Sequence, residues 1–188
     1  MKTIARKKKI FLDNRLYILQ LDISSILELE ERYTDSLLIY KSLFKSNIST
    51  TNLFINLTKI LSCCVKNTYI NDITMKKLLI KEYKKPIHVV NNIYPVIAYL
   101  IDGFIIENNE TKEDLPEATP EKVQEVETKD DILISDLMNF DKLYINSLKA
   151  NLTKEDFLSS TPKGLLYIFK SITDNNTGET EEDRNVYR

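Results

Sequence analysis

The chain has 188 residues, 43% of them hydrophobic and 29% charged, with a formal net charge of −2. That length holds one ordinary domain plus a fragment, and the near balance of charge gives the whole chain no bias toward nucleic acid. Its three glycines, Gly103, Gly164 and Gly178, leave no Gly-rich phosphate loop, and two adjacent cysteines with one histidine cannot supply a zinc site of ordinary ligand count.

In chain order, Lys8 to Leu12 and Leu16 to Leu21 read as short strands around Asp13-Asn14-Arg15, whose Asp and Asn tolerate the positive φ of a tight turn. Asp22 or Ser24 can cap the next helix, which carries Ile26, Leu27, Leu29 and Tyr33. Asp35 and Ser36 offer a cap before Leu37, Leu38, Leu43 and Phe44. Between Thr50 and Lys66, the residues Leu53, Phe54, Leu57, Ile60, Leu61, Cys64 and Val65 form one apolar stripe at helical period. Ile73 to Tyr83 is a further helix, capped by Asp72 or Thr74, with Leu78, Leu79 and Tyr83 inward. Pro86 starts a last helix, Pro95 should kink or split it, and Gly103 marks its end.

From Glu107 to Asp131 the periodicity disappears. Ten acids stand there against Lys112, Lys122 and Lys129, with Pro116 and Pro120 between them. Such a stretch has little to bury and reads as a flexible linker. A stripe returns at Leu137, Phe140, Tyr144 and Leu148. Thr153 with Asp156 resembles a cap followed by an acid at its third position, and Thr161-Pro162 is a cap plus a first-turn proline. Leu165, Leu166, Phe169 and Ile172 make a second stripe. The fold class expected is therefore mainly α (α+β). A small N-terminal β-hairpin opens a short-helix bundle (residues 1–106), followed by an acidic linker (107–131), a small two- to three-helix module (132–173) and a disordered acidic tail (174–188).

No constellation in this sequence marks an enzyme. His88 has no nucleophile or metal ligand beside it in spacing. Glu28, Glu30 and Glu31 read as the solvated face of an amphipathic helix. The basic run Arg6 to Lys9 is short, lacks interleaved aromatics and reads as a solubilising terminus. The segment Ile87 to Ile106 is interrupted by His88, Asn91, Asn92, Pro95, Asp102 and Gly103, so it reads as a buried helix and not a membrane span. Met1 to Lys9 is not followed by the apolar core of a signal peptide, and Cys63 and Cys64 suit a reducing cytoplasm. Catalytic, cofactor and metal sites are expected to be absent. Two short helices bury too little to be very stable alone, so a stripe of the small module should dock on the first module, on a second copy in a homo-oligomer, or on another protein. Phe140, Tyr144, Phe157 and Phe169 are the candidate partner-binding anchors, because aromatics carry the most burial per residue.

Two stretches resemble the tail assembly chaperones of long-tailed bacteriophages and gene transfer agents. One is the hairpin leading into Leu16-Tyr17-Ile18-Leu19-Gln20-Leu21-Asp22, then Ile26-Leu27-Glu28-Leu29-Glu30-Glu31-Arg32-Tyr33 and Ser36-Leu37-Leu38. The family carries a Leu-Glu-Glu helix at this place. Tyr33-Thr34-Asp35 departs from the family's hydrophobic residue and Gly at the turn. The other stretch is Phe140-Asp141-Lys142-Leu143-Tyr144, Leu152-Thr153-Lys154-Glu155-Asp156-Phe157 and Thr161-Pro162-Lys163-Gly164-Leu165. Here Leu158 and Gly164 stand where relatives have Trp and an acid. The resemblance implies a non-enzymatic factor in the bacterial host cytoplasm. Its N-terminal domain binds the helical tape-measure protein, and its C-terminal extension recruits tail-tube subunits. The alternative expectation is a structural tail-completion or connector component. No nucleic acid and no membrane is expected as partner.

Overall fold

The computed structural model describes residues 5–104 and 133–182, with side chains described as far as residue 173 in the last helix. The linker expected at 107–131 therefore lies outside the described residues, as does 183–188 of the expected tail. The described chain is mainly helical, with one two-stranded antiparallel hairpin at its start.

Strands β1 (Lys7–Leu12) and β2 (Arg15–Gln20) pair from Lys7–Gln20 to Leu12–Arg15. The two-residue turn has Asp13 at φ 50° and Asn14 at φ 58°. Both central residues of that hairpin turn need positive φ, and Asp and Asn bear it at least cost among side-chain-bearing residues. Tyr17, Leu19 and Leu12 face inward and are buried.

Helix α1 (Ile23–Arg32) begins at Asp22, whose carboxylate accepts from Ser25 N at 2.9 Å. That carboxylate is 2% exposed, yet Oδ1 also accepts from Ser24 Oγ, Ser25 Oγ and Lys66 Nζ, and Oδ2 from Gln20 Nε2. A buried charge survives because so many donors replace its water. Helix α2 (Ser36–Ser42) follows, then α3 (Thr50–Cys64), capped by Ser49. Helix α3 is the axis of the bundle, touching β2, α1, α2, α4 (Asp72–Tyr83) and α5 (Pro86–Ile101). Its expected stripe is its buried face: Phe54, Leu57, Ile60, Leu61 and Cys64 are all at most 2% exposed. Asn71 caps α4, its side chain accepting from Thr74 N, where Asp72 or Thr74 was the expected cap.

Helix α5 is one helix through Pro95, not two. The carbonyl that loses its partner there belongs to Asn91, and both residues face water, so solvent replaces the missing hydrogen bond. A short 3-10 turn, Asp102–Phe104, ends the first part.

Four helices make the second part: α6 (Ile134–Leu137), α7 (Phe140–Lys149), α8 (Lys154–Leu158) and α9 (Pro162–Glu182). The Thr153/Asp156 box forms in both directions. Two stripes differ in phase from expectation. On α7 the buried side is Phe140, Leu143 and Ser147, while Leu137 before it and Leu148 near its end are exposed. On α9 the inward side is Leu165 and Ile168, with Phe169 and Ile172 partly buried, and Leu166 exposed. The backbone of α9 is helical as far as Glu182, into the stretch read as a tail.

Candidate partner-binding site

The smaller part sits on the larger one, and α1 is the seat. Helix α1 meets α6 and α8, α2 meets α6, and α9 meets the turn at Asp102–Phe104. Buried residues of both parts form a single apolar cluster, with Ile134 and Leu165 fully enclosed. The contact is also specified by polar groups. Glu30 accepts from Ser135 N at 2.8 Å and from Ser135 Oγ at 2.9 Å, satisfying an orphan amide at the start of α6. Gln20 Nε2 donates to Ser159 O at 3.1 Å, and Ile23 N donates to Ser160 O at 3.0 Å. Gly103 lies so close to α9 that a Cβ there would fall 2.7 Å from Thr161 Oγ1 and Cγ2. Only a residue without a side chain allows that approach.

Glu30 therefore does more than the solvated face read from the sequence. Glu28 pairs with Arg32 one turn on, and only Glu31 is fully exposed among the three. Nothing local in the sequence marks these contacts of Glu30, Gln20 and Gly103, since their partners lie more than 50 positions away.

The four candidate partner-binding aromatics pack against the chain's own core, two of them buried and two partly buried. Phe140 and Phe157 are each 5% exposed, Tyr144 packs its ring 5.0 Å from that of Phe157, and Phe169 is partly buried against the same cluster. In this arrangement the large apolar side chains of the small part that face solvent, among the described residues, are Leu133, Leu137, Ile145, Leu148, Leu166 and Tyr167.

On the larger part, an open groove of about 440 Å³ runs between α2 and the start of α3. Leu38, Ile48 and Ile55 line it, with Asn47, Asn52 and Asn56 as polar groups. Leu38 is 58% exposed, and Phe44, its ring tilted against that of Tyr40 at 5.4 Å, is also largely exposed nearby in sequence. Ser42, Lys45 and Ser49 complete a mixed lining, in which three apolar side chains among polar ones could take a helix that offers one apolar face.

The titratable groups are those of a folded core. Burial pushes the Cys63 thiol up to about 11, and holds that of Cys64 well above its ordinary value. Both stay protonated near neutrality and lack the thiolate needed for nucleophilic work. Burial likewise raises Tyr40 to about 12. His88 is exposed, its Nδ1 3.2 Å from Tyr83 O. Among the described residues, no group of three or more His, Cys, Asp or Glu is placed to hold a metal ion, and no helix is long and apolar enough to cross a membrane.

Comparison with protein-family models, with curated proteins and with solved structures finds no match to this chain.

Proposed function

We propose that this chain is a non-enzymatic assembly chaperone of phage-type tails. It acts in the bacterial cytoplasm, covers an apolar helical segment of the tape-measure protein and brings tail-tube subunits to it. The observation that carries this reading is the meeting of the two stretches that resemble the tail chaperones. The Leu-Glu-Glu helix grips α6 through Glu30, and Thr153–Leu165 packs beside it through Ser159 and Ser160. Two motifs remote in sequence thus build one body, as parts of one machine would. The groove between α2 and α3 is the surface we assign to the tape-measure helix, and the exposed side of α7 and α9 the surface for the tube subunit.

The test is co-expression of the full chain with a tape-measure fragment and a tube subunit, followed by pull-down. Leu38→Asp with Ile55→Asp should lose the tape-measure fragment alone, and Leu148→Asp the tube subunit alone. All three side chains are exposed, so the fold should persist. Capture of neither protein by the wild type would end the proposal. Recovery of the chain from purified mature particles would move the assignment to a structural tail component.

A further inference from the structure

The two long edges of the hairpin differ. On β2, Ile18 N donates to Asn67 Oδ1 and Ile18 O accepts from Lys66 N, each at 2.9 Å. Leu16 O accepts from Asn67 Nδ2, also at 2.9 Å. The outward groups of this edge are thus covered by the chain that follows α3. The cross-strand partners of Ile18 and Leu16 are Lys9 and Phe11. In an antiparallel ladder, opposed residues either exchange both hydrogen bonds or turn all four groups away from each other. Because Ile18 and Leu16 turn away from β1, Lys9 and Phe11 turn away from β2. Lys7, two residues earlier, does the same. Among the described residues, the backbone groups of Lys7, Lys9 and Phe11 on this side meet no protein donor or acceptor.

The chemistry around that edge is one-signed. Lys7, Lys8 and Lys9 are all exposed, and among the described residues none of them makes an ion pair. Arg6, just before them, is already held by Asp102 at 2.9 Å and by the Tyr99 ring. Asp13, beyond the far end, is held by Lys81. Lysines on an open edge oppose pairing with a second copy, because lysine would face lysine. The same lysines favour a strand that carries acids. Phe11, 67% exposed, stands opposite Leu16 on the outer face of the hairpin and adds an apolar contact point.

We propose that the free edge of β1 accepts an extended, acidic segment of a partner protein as a third strand. Its backbone would bond to Lys7, Lys9 and Phe11, its carboxylates would face Lys7 and Lys9, and an apolar side chain would rest on Phe11. Main-chain bonding supplies the affinity in such strand addition, and the side chains supply the choice of partner. The edge can take such a strand whatever the wider role of the chain.

The test is fluorescence anisotropy of the full chain with a short labelled peptide alternating glutamate and threonine. Binding should weaken with salt, fall about tenfold or more in a Lys7→Glu, Lys9→Glu double variant, and vanish when alternate peptide amides are N-methylated. A lysine–threonine peptide should not bind. No binding, or binding indifferent to N-methylation, would overturn the proposal. Binding that appears only in a full-length variant with the acids of 107–131 changed to amides would assign the edge to the chain's own acidic stretch and overturn the partner assignment. Self-association abolished by the double variant would assign the edge to a second copy, with the same consequence.

Discussion

The larger and smaller parts of this molecule hold themselves together differently. The larger part wraps α3 on several sides and buries a complete stripe on it. The smaller part has three short helices and one long one, and its buried residues join the core of the larger part through α1, α2 and the turn at Asp102–Phe104. Its seat is fixed by single groups: Glu30, the Ser159 and Ser160 carbonyls, and the missing side chain of Gly103. A large module can be specified by periodicity alone. A small one that leans on a neighbour needs particular contacts, and particular contacts can be removed one at a time.

The asymmetry can be broken from either side. Leu61→Ala removes fully buried atoms from the axis of the larger part and should cost about 2–5 kcal/mol. Because the smaller part rests on the larger, thermal denaturation should show both lost together. Survival of the smaller part's signal at temperatures where α3 has melted would show that it needs no seat. Gly103→Ala should cost less, about 1–3 kcal/mol, through the clash with Thr161. Limited proteolysis should then cut within α6 to α9 first and leave the larger part intact. Uniform sensitivity would show that the turn is not a local seat.

Glu30→Ala strands the Ser135 amide and should cost about 1–2 kcal/mol, again confined to the smaller part, while Glu30→Gln keeps an acceptor and should cost less. Equal losses in the two variants would mean that charge or packing, not the acceptor, matters. The smallest effect concerns pH. The Thr153 hydroxyl and amide bonds hold the Asp156 carboxyl below its ordinary value of 3.8. A depressed folded-state value means that this contribution is present above the ordinary value and is lost as pH falls through the folded one. Acidification below about 3.8 should therefore loosen the start of α8 in the wild type. Thr153→Ala, which keeps the amide bond and loses the hydroxyl, should reduce this pH sensitivity, as seen by NMR shifts of Phe157.

Much of this was legible in the sequence wherever the signal was local. Asp13-Asn14 gave the turn, Asp22 the first cap, the stripe from Leu53 to Val65 the central helix, and Thr153 with Asp156 the box before α8. What failed was the direction each helix faces once other parts surround it. Leu137, Leu148 and Leu166 sit at helical spacing from true core residues yet point to water, because Ser147 and Ile168 occupy the inward positions. The dock of the aromatic anchors stayed open between the first module, a second copy and another protein, since an apolar stripe looks alike whether it meets a partner or its own chain. Pro95 does not split α5, because whether a proline ends a helix depends on whether the stranded carbonyl has water, which the sequence does not state. Gly103 marked the end of a helix and Glu30 a polar face, but nothing local signalled the contacts they make with the smaller part.

The smaller part is seated on α1 in the isolated chain, and one amide reports it. Ile23 is the first residue of α1, so its N–H has no acceptor within its own helix. Its described acceptor is the Ser160 carbonyl of the smaller part. Amide hydrogen exchange of the full chain should find Ile23 protected, and Gly103→Ala should strip that protection while leaving the amide of Leu61 in α3 slow. Exchange of Ile23 at the rate of an open peptide in the wild type, with α3 fully protected, would contradict the account.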